Sequence, residues 1–183
     1  MLEGLVDKLA DTPWSIGLHE SLYVYAITES THVMSIMLFV GTIAMVDLRL
    51  LGISYTNVPV SQMLSRMLPW TVAGFVLLVI SGAMLFLAIP IRTYHSLWFR
   101  LKCLMILIAA INIAIFTFKV ERDKTTWDLG AVPRKSKVCA VISLGAWGCV
   151  IVFGRLIAYN WFDCDSINSA AIAQLTGCPL DPG

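Results

Sequence analysis

The reactive chemistry of this sequence rests on few side chains: three histidines, His19, His32 and His95, and a small set of cations set among apolar runs. His32 is the hardest to explain as packing, because Val33, Met34, Ser35, Ile36 and Phe39 surround it with apolar neighbours. Arg100 and Lys102 follow Trp98 and Phe99 in another apolar run, and Arg155 lies near the end of a third. Ionisable groups at membrane depth are costly and mark functional sites by default. An imidazole near several cations is the donor set a haem needs, with an axial nitrogen for iron and positive charge for two propionates. His32 could supply the axial ligand, and His95 or a methionine such as Met84 a second. Arg100, Lys102 and Arg155 would face the propionates.

Each residue also has a structural alternative. Arg100 and Arg155 can snorkel to lipid phosphates, as basic residues near helix ends commonly do. His95, within Arg-Thr-Tyr-His-Ser, reads as an interfacial loop residue, and His32 could be a hydrogen-bonded core histidine. Asp47 and Arg49 read as a local charge pair, with Asn112 at comparable depth. Two haems would need four axial groups. His19 and His32 are 13 positions apart, which on one helix is about 20 Å of rise but roughly 220° of rotation. At most one haem is expected. Met63 and Met67 lie away from every histidine, which weighs against copper. Neither Cys-x-x-Cys, a nucleotide-binding glycine loop nor a nucleophile elbow is present.

The elements that must position these groups follow from composition. Of 183 residues, 58% are hydrophobic and 14% charged, and the mean hydropathy is +0.79. A soluble domain of this size cannot hide that much apolar surface, so an all-α integral membrane bundle is expected. Four stretches are long enough to cross: about Thr28–Leu51, Trp70–Pro90, Leu97–Phe118 and Lys137–Tyr159, with Gly52 closing the first and Pro69 preceding the second. Asp11–Ile27 mixes aromatic and charged residues and reads as an interfacial helix. Residues 1–183 are read as one membrane domain ending in a tail over 160–183. The first 30 residues lack a basic segment followed by an apolar core, so the N-terminus is expected to be kept.

Orientation follows from Lys/Arg bias. Arg49, Arg66, Lys119, Arg122, Lys124, Arg134, Lys135 and Lys137 fall in two connections, against Lys8 and Arg92 on the other side. Those connections are expected to be cytoplasmic and both termini periplasmic, as in a bacterial inner membrane. Cys103, Cys139 and Cys149 lie within spans as small apolar residues. Cys164 and Cys178, 14 apart in the acidic tail, would form a disulfide on an oxidising face, or remain two thiols. Small residues such as Gly74, Ser81, Gly82, Gly148 and Gly154 are expected to serve close helix packing alone.

The chain resembles a group of uncharacterised bacterial four-helix inner-membrane proteins. The likeness rests on His32, Gly41, Asp47-Leu48-Arg49-Leu50-Leu51-Gly52, Pro69-Trp70 with Gly74-Phe75, Ser81-Gly82, Phe99 with Lys102, Asn112, and Gly154 to Tyr159. It covers nearly the whole chain and implies no activity. More loosely, a first-span histidine with a third-span Phe-x-x-Lys is similar to the haem-binding protoporphyrinogen oxidase of bacteria and to copper-resistance D-type membrane proteins. That resemblance implies that His32 and Lys102 form the site. Asn112 and Phe116 stand where the oxidase has a further histidine, so haem or tetrapyrrole binding is implied rather than that reaction.

Two functions are therefore expected. One is a redox protein with a single b-type haem in the outer leaflet, passing electrons between an outer-face partner and the quinone pool. The other is a cofactor-free membrane anchor or assembly subunit of a larger envelope complex. A transporter is less supported, since the spans show no pair broken by Gly or Pro.

Overall fold

A computed structural model describes residues 2–120, 128 and 132–159. The described chain is all-α. Two short helices, α1 (Leu2–Ala10) and α2 (Pro13–Glu20), lead into the long α3 (Leu22–Leu51) and α4 (Val60–Ala88). A short α5 (Pro90–His95) precedes α6 (Leu97–Ile115), a π-helical turn (Phe116–Val120) and α7 (Arg134–Leu156), which ends in a 3-10 turn, Ile157–Tyr159. Four of these helices are long and apolar enough to cross a membrane, as expected of a multi-pass membrane protein. Their outward faces are apolar, as lipid requires: Val72, Val76, Val79 and Ile80 on α4 are all exposed.

The helix boundaries have local causes. Ser21 starts α3 by accepting the N–H of Val24, so the helix that carries the first apolar run begins at Leu22, and the stretch Asp11–Ile27 divides between α2 and the start of α3. Gly52 ends α3 in the left-handed region at φ 80°. Its N–H reaches the Arg49 carbonyl, and the N–H of Ile53 reaches that of Leu48. The expectation that Pro69 opens the second span is corrected: Pro69 lies inside α4, which begins at Val60. The start of α4 is fixed from a distant loop. Asp128 accepts the Ser61 N–H at 2.7 Å and the Ser61 hydroxyl at 2.5 Å, and its carbonyl accepts the Val60 N–H. A carboxylate on those orphan donors offsets the helix dipole where no local side chain does so.

Arg49 belongs to the same junction. It is 3% exposed and donates to the carbonyls of Val58 at 2.7 Å and Asp128 at 3.5 Å. The expected Asp47–Arg49 pair is therefore corrected. Two positions apart on a helix, the side chains point to different sides, and Arg49 ties the loop ends together instead.

Helix α3 packs along most of α4, α6 along α7, and the two hairpins join through α3 and α7. Helices α4 and α6 approach each other far less. At midheight a dry layer forms from Phe39, Ala109, Ala146, Trp147 and Val150. The Phe39 ring meets Trp147 edge-on at 4.8 Å and Phe75 at 5.5 Å. At the other end of α4, the Ser15 hydroxyl donates to the Leu87 carbonyl, docking α2 onto a helix terminus with unsatisfied acceptors. Trp14, Leu22 and Tyr23 remain exposed nearby.

The α3–α4 contact depends on Gly74. A Cβ there would lie 2.9 Å from the Phe39 backbone nitrogen, whereas one at Gly41 or Gly148 would meet nothing within 4 Å. Gly74→Ala should cost about 1–3 kcal/mol through forced separation of the helices. Thermal unfolding in detergent should show a lowered midpoint for Gly74→Ala and none for Gly148→Ala; equal midpoints would refute the close approach.

Candidate functional site

The polar groups within the bundle divide into two sets, one on each side of the Phe39–Trp147 layer. Towards the N-terminal half of α3 lies a cavity of about 870 Å³, within the range of small-molecule sites. His32 from α3, Lys102 from α6 and Arg155 from α7 all line it. Its walls include Ile36, Val40, Leu85, Phe86 and Phe99, and Phe86 stacks on Phe99 at 5.6 Å to bridge the gap between α4 and α6.

His32 is held by α4. Its Nδ1 lies 2.9 Å from the Ser81 hydroxyl oxygen. That hydroxyl has one proton, which goes to the Leu77 carbonyl at 2.6 Å, with the Leu78 carbonyl farther off at 3.3 Å. Ser81 must therefore accept from His32, making Nδ1 the protonated nitrogen and leaving Nε2 with its lone pair. An acceptor that fixes the tautomer in this way is the usual support of an imidazole ligand. With Nδ1 and Cε1 turned to α4, the Nε2 edge is left for the cavity.

Two glycines make room for the site. A Cβ at Gly82 would stand 3.1 Å from His32 Cε1, and one at Gly154 would stand 3.3 Å from Lys102 Nζ. The expectation that these small residues serve packing alone holds for Gly74 and is corrected here. Lys102 is half-buried, and among the described residues nothing accepts a hydrogen bond from its ammonium.

The other expected site residues lie elsewhere. Arg100 is exposed, with its guanidinium over the Tyr94 ring at 5.4 Å. His95 ends α5 with its ring edge-on to Tyr94 at 5.2 Å. Neither they nor Met84 line the cavity. Glu29 and Arg92 do line it, and neither was expected. Glu29 sits three positions before His32, hence on the same helical face; Arg92 carries no signal beyond its charge. Arg155 lines the mouth while its guanidinium also lies 5.6 Å from the Tyr159 ring. Among the described residues no three His, Cys, Asp or Glu side chains gather as a metal site. Cys164 and Cys178 lie outside the described residues.

Comparison with known proteins gives one match: a family model described as a family of unknown function (DUF6644) matches residues 16–160, which takes in all four long helices. No curated protein and no solved structure matches the chain.

The hydrogen-bond order around His32 has a direct test. In protein carrying ¹⁵N-labelled histidine, the His32 ring should show the Nδ1–H tautomer, with Nε2 unprotonated. Ser81→Ala should change that assignment. An Nε2–H ring in the wild type would contradict the arrangement.

Proposed function

The chain belongs to the DUF6644 family, and we propose that it is a membrane redox protein that holds a single b-type haem in the His32 cavity. The observation that carries this reading is the conjunction, in one apolar cavity, of an oriented imidazole with a free Nε2 and cations from separate helices. Haem supplies one-electron chemistry; the residues supply the site. His32 would ligate iron through Nε2, and Ser81 would hold the ring. Lys102 and Arg155, with Arg92, would meet the carboxylates. Lys102 and Arg155 bring two cations from separate helices to the lining, which suits an anionic ligand. The aliphatic and aromatic walls would keep water from the ring.

Neither His95 nor Met84 lines this cavity, whereas Met37 of α3 does, so His32 is the one histidine among the described residues that could meet a haem there. The basic connections support placing the Asp47 end in the cytoplasm of a bacterial cell and the His32 end at the periplasmic face. Electrons would then pass between an outer-face partner and membrane quinone.

Protein purified in detergent, or reconstituted with hemin, should show a Soret band that His32→Ala abolishes. Lys102→Ala should weaken hemin retention by about ten- to a hundredfold, the loss of one charge-assisted hydrogen bond. Arg100→Ala should leave retention unchanged. Colourless protein that takes up no hemin would refute the proposal and favour an anchoring or assembly subunit.

A further inference from the structure

The second set of polar groups lies beyond the Phe39–Trp147 layer, in a chamber of about 210 Å³ bounded by all four long helices. Its walls are mainly apolar, but Asp47 of α3, Asn112 of α6 and Ser143 of α7 all line it. Each is nine-tenths or more buried, with exposures of 6%, 6% and 5%. Asn112 Nδ2 donates to the Cys139 carbonyl at 2.9 Å, a bond that does not use the amide oxygen. The Ser143 hydroxyl faces the Asp47 carboxyl. Asp47 Oδ2 has no hydrogen-bond partner.

A carboxylate in such surroundings is strongly disfavoured without a compensating positive charge. The nearest candidate, Arg49, is committed to the carbonyls of Val58 and Asp128. The neighbours from α4 are Thr71, Met67 and Leu64, all uncharged, and from α6 Asn112, Phe116 and Thr117. From α7 the one titratable group near Asp47 is Cys139, a thiol that would add negative charge. Among the described residues, then, a few oxygen-bearing side chains line a mainly apolar volume that can hold several waters, with one carboxyl and no cation.

We propose that this chamber is a binding site for a small monovalent cation, a proton with its water or a sodium ion, with Asp47 supplying the charge and Asn112 Oδ1 and Ser143 Oγ supplying neutral oxygens. A single carboxylate with neutral oxygen donors suits one positive charge; a divalent ion would ordinarily draw more carboxylates. Soft or nitrogen-seeking metals find no ligand set here, since no group of three His, Cys, Asp or Glu side chains occurs among the described residues. The site stands on its own residues and does not depend on anything bound near His32.

Infrared difference spectra of the full chain in lipid nanodiscs test this directly. The carbonyl stretch of a protonated carboxyl should be present in sodium-free buffer. Loss of that band on raising pH, with no response to sodium, identifies the proton. Its loss on adding sodium at fixed pH, with no response to potassium, identifies sodium. In either case Asp47→Asn should remove the band. If Asp47→Asn does not fold, Asn112→Ala, which keeps the carboxyl, should shift the apparent proton or sodium affinity by about tenfold or more. A carboxyl band absent throughout, or spectra of either folded variant indistinguishable from wild type, would overturn the proposal.

Discussion

The bundle depends at its His32 end on one hydrogen-bond relay between two helices. Ser81 returns its proton to the backbone of its own helix at Leu77 and is left as an acceptor. His32 of the neighbouring helix must then present Nδ1–H to it. In lipid neither helix can look to water for a partner, so the pairing sets both the position of the ring and its tautomer. Gly82 follows Ser81 directly, and its missing Cβ lets the imidazole lie close to α4. What remains of the ring is a lone pair beside a cavity that cations also line.

The rest of the architecture keeps polar groups where they can be satisfied. The Phe39–Trp147 layer separates two unlike chambers, a large one lined by His32, Lys102 and Arg155 and a small one with a single buried carboxyl. Arg49, buried like Asp47, is withdrawn from both chambers and donates to the Val58 and Asp128 carbonyls beside the start of α4. Asp128 completes that junction by capping a helix distant in sequence. The motif Asp47-Leu48-Arg49-Leu50-Leu51-Gly52 thus combines three separate roles: a chamber wall, a loop tie and a left-handed helix end.

The four long helices were legible because apolar runs of that length have few alternatives. His32 and Lys102 were legible for a related reason, since ionisable side chains stand out in such runs. Position around the helix was harder to read. Arg100 and Lys102 have similar depth, yet two residues turn a helix by about 200°, and only Lys102 lines the cavity. Asp47 and Arg49 were misread as a pair by the same neglect of rotation. Ser21 starts α3 before the polar stretch at Thr28, which had looked like the membrane boundary. Glycine meaning was not legible at all. Gly74 and Gly82 share one helix, but one meets the Phe39 backbone and the other a histidine ring, and nothing in their own letters separates the two cases.

The central claim is that one imidazole, His32, faces the cavity as a ligand with no second histidine opposite it. Pulsed electron paramagnetic resonance on the ferric, hemin-loaded protein carrying ¹⁵N-histidine measures this most directly. Coupling of the iron to the nitrogen of a single histidine, lost in His32→Ala and retained in His95→Ala, is the expected result. Coupling to two histidines, or to none, would contradict it.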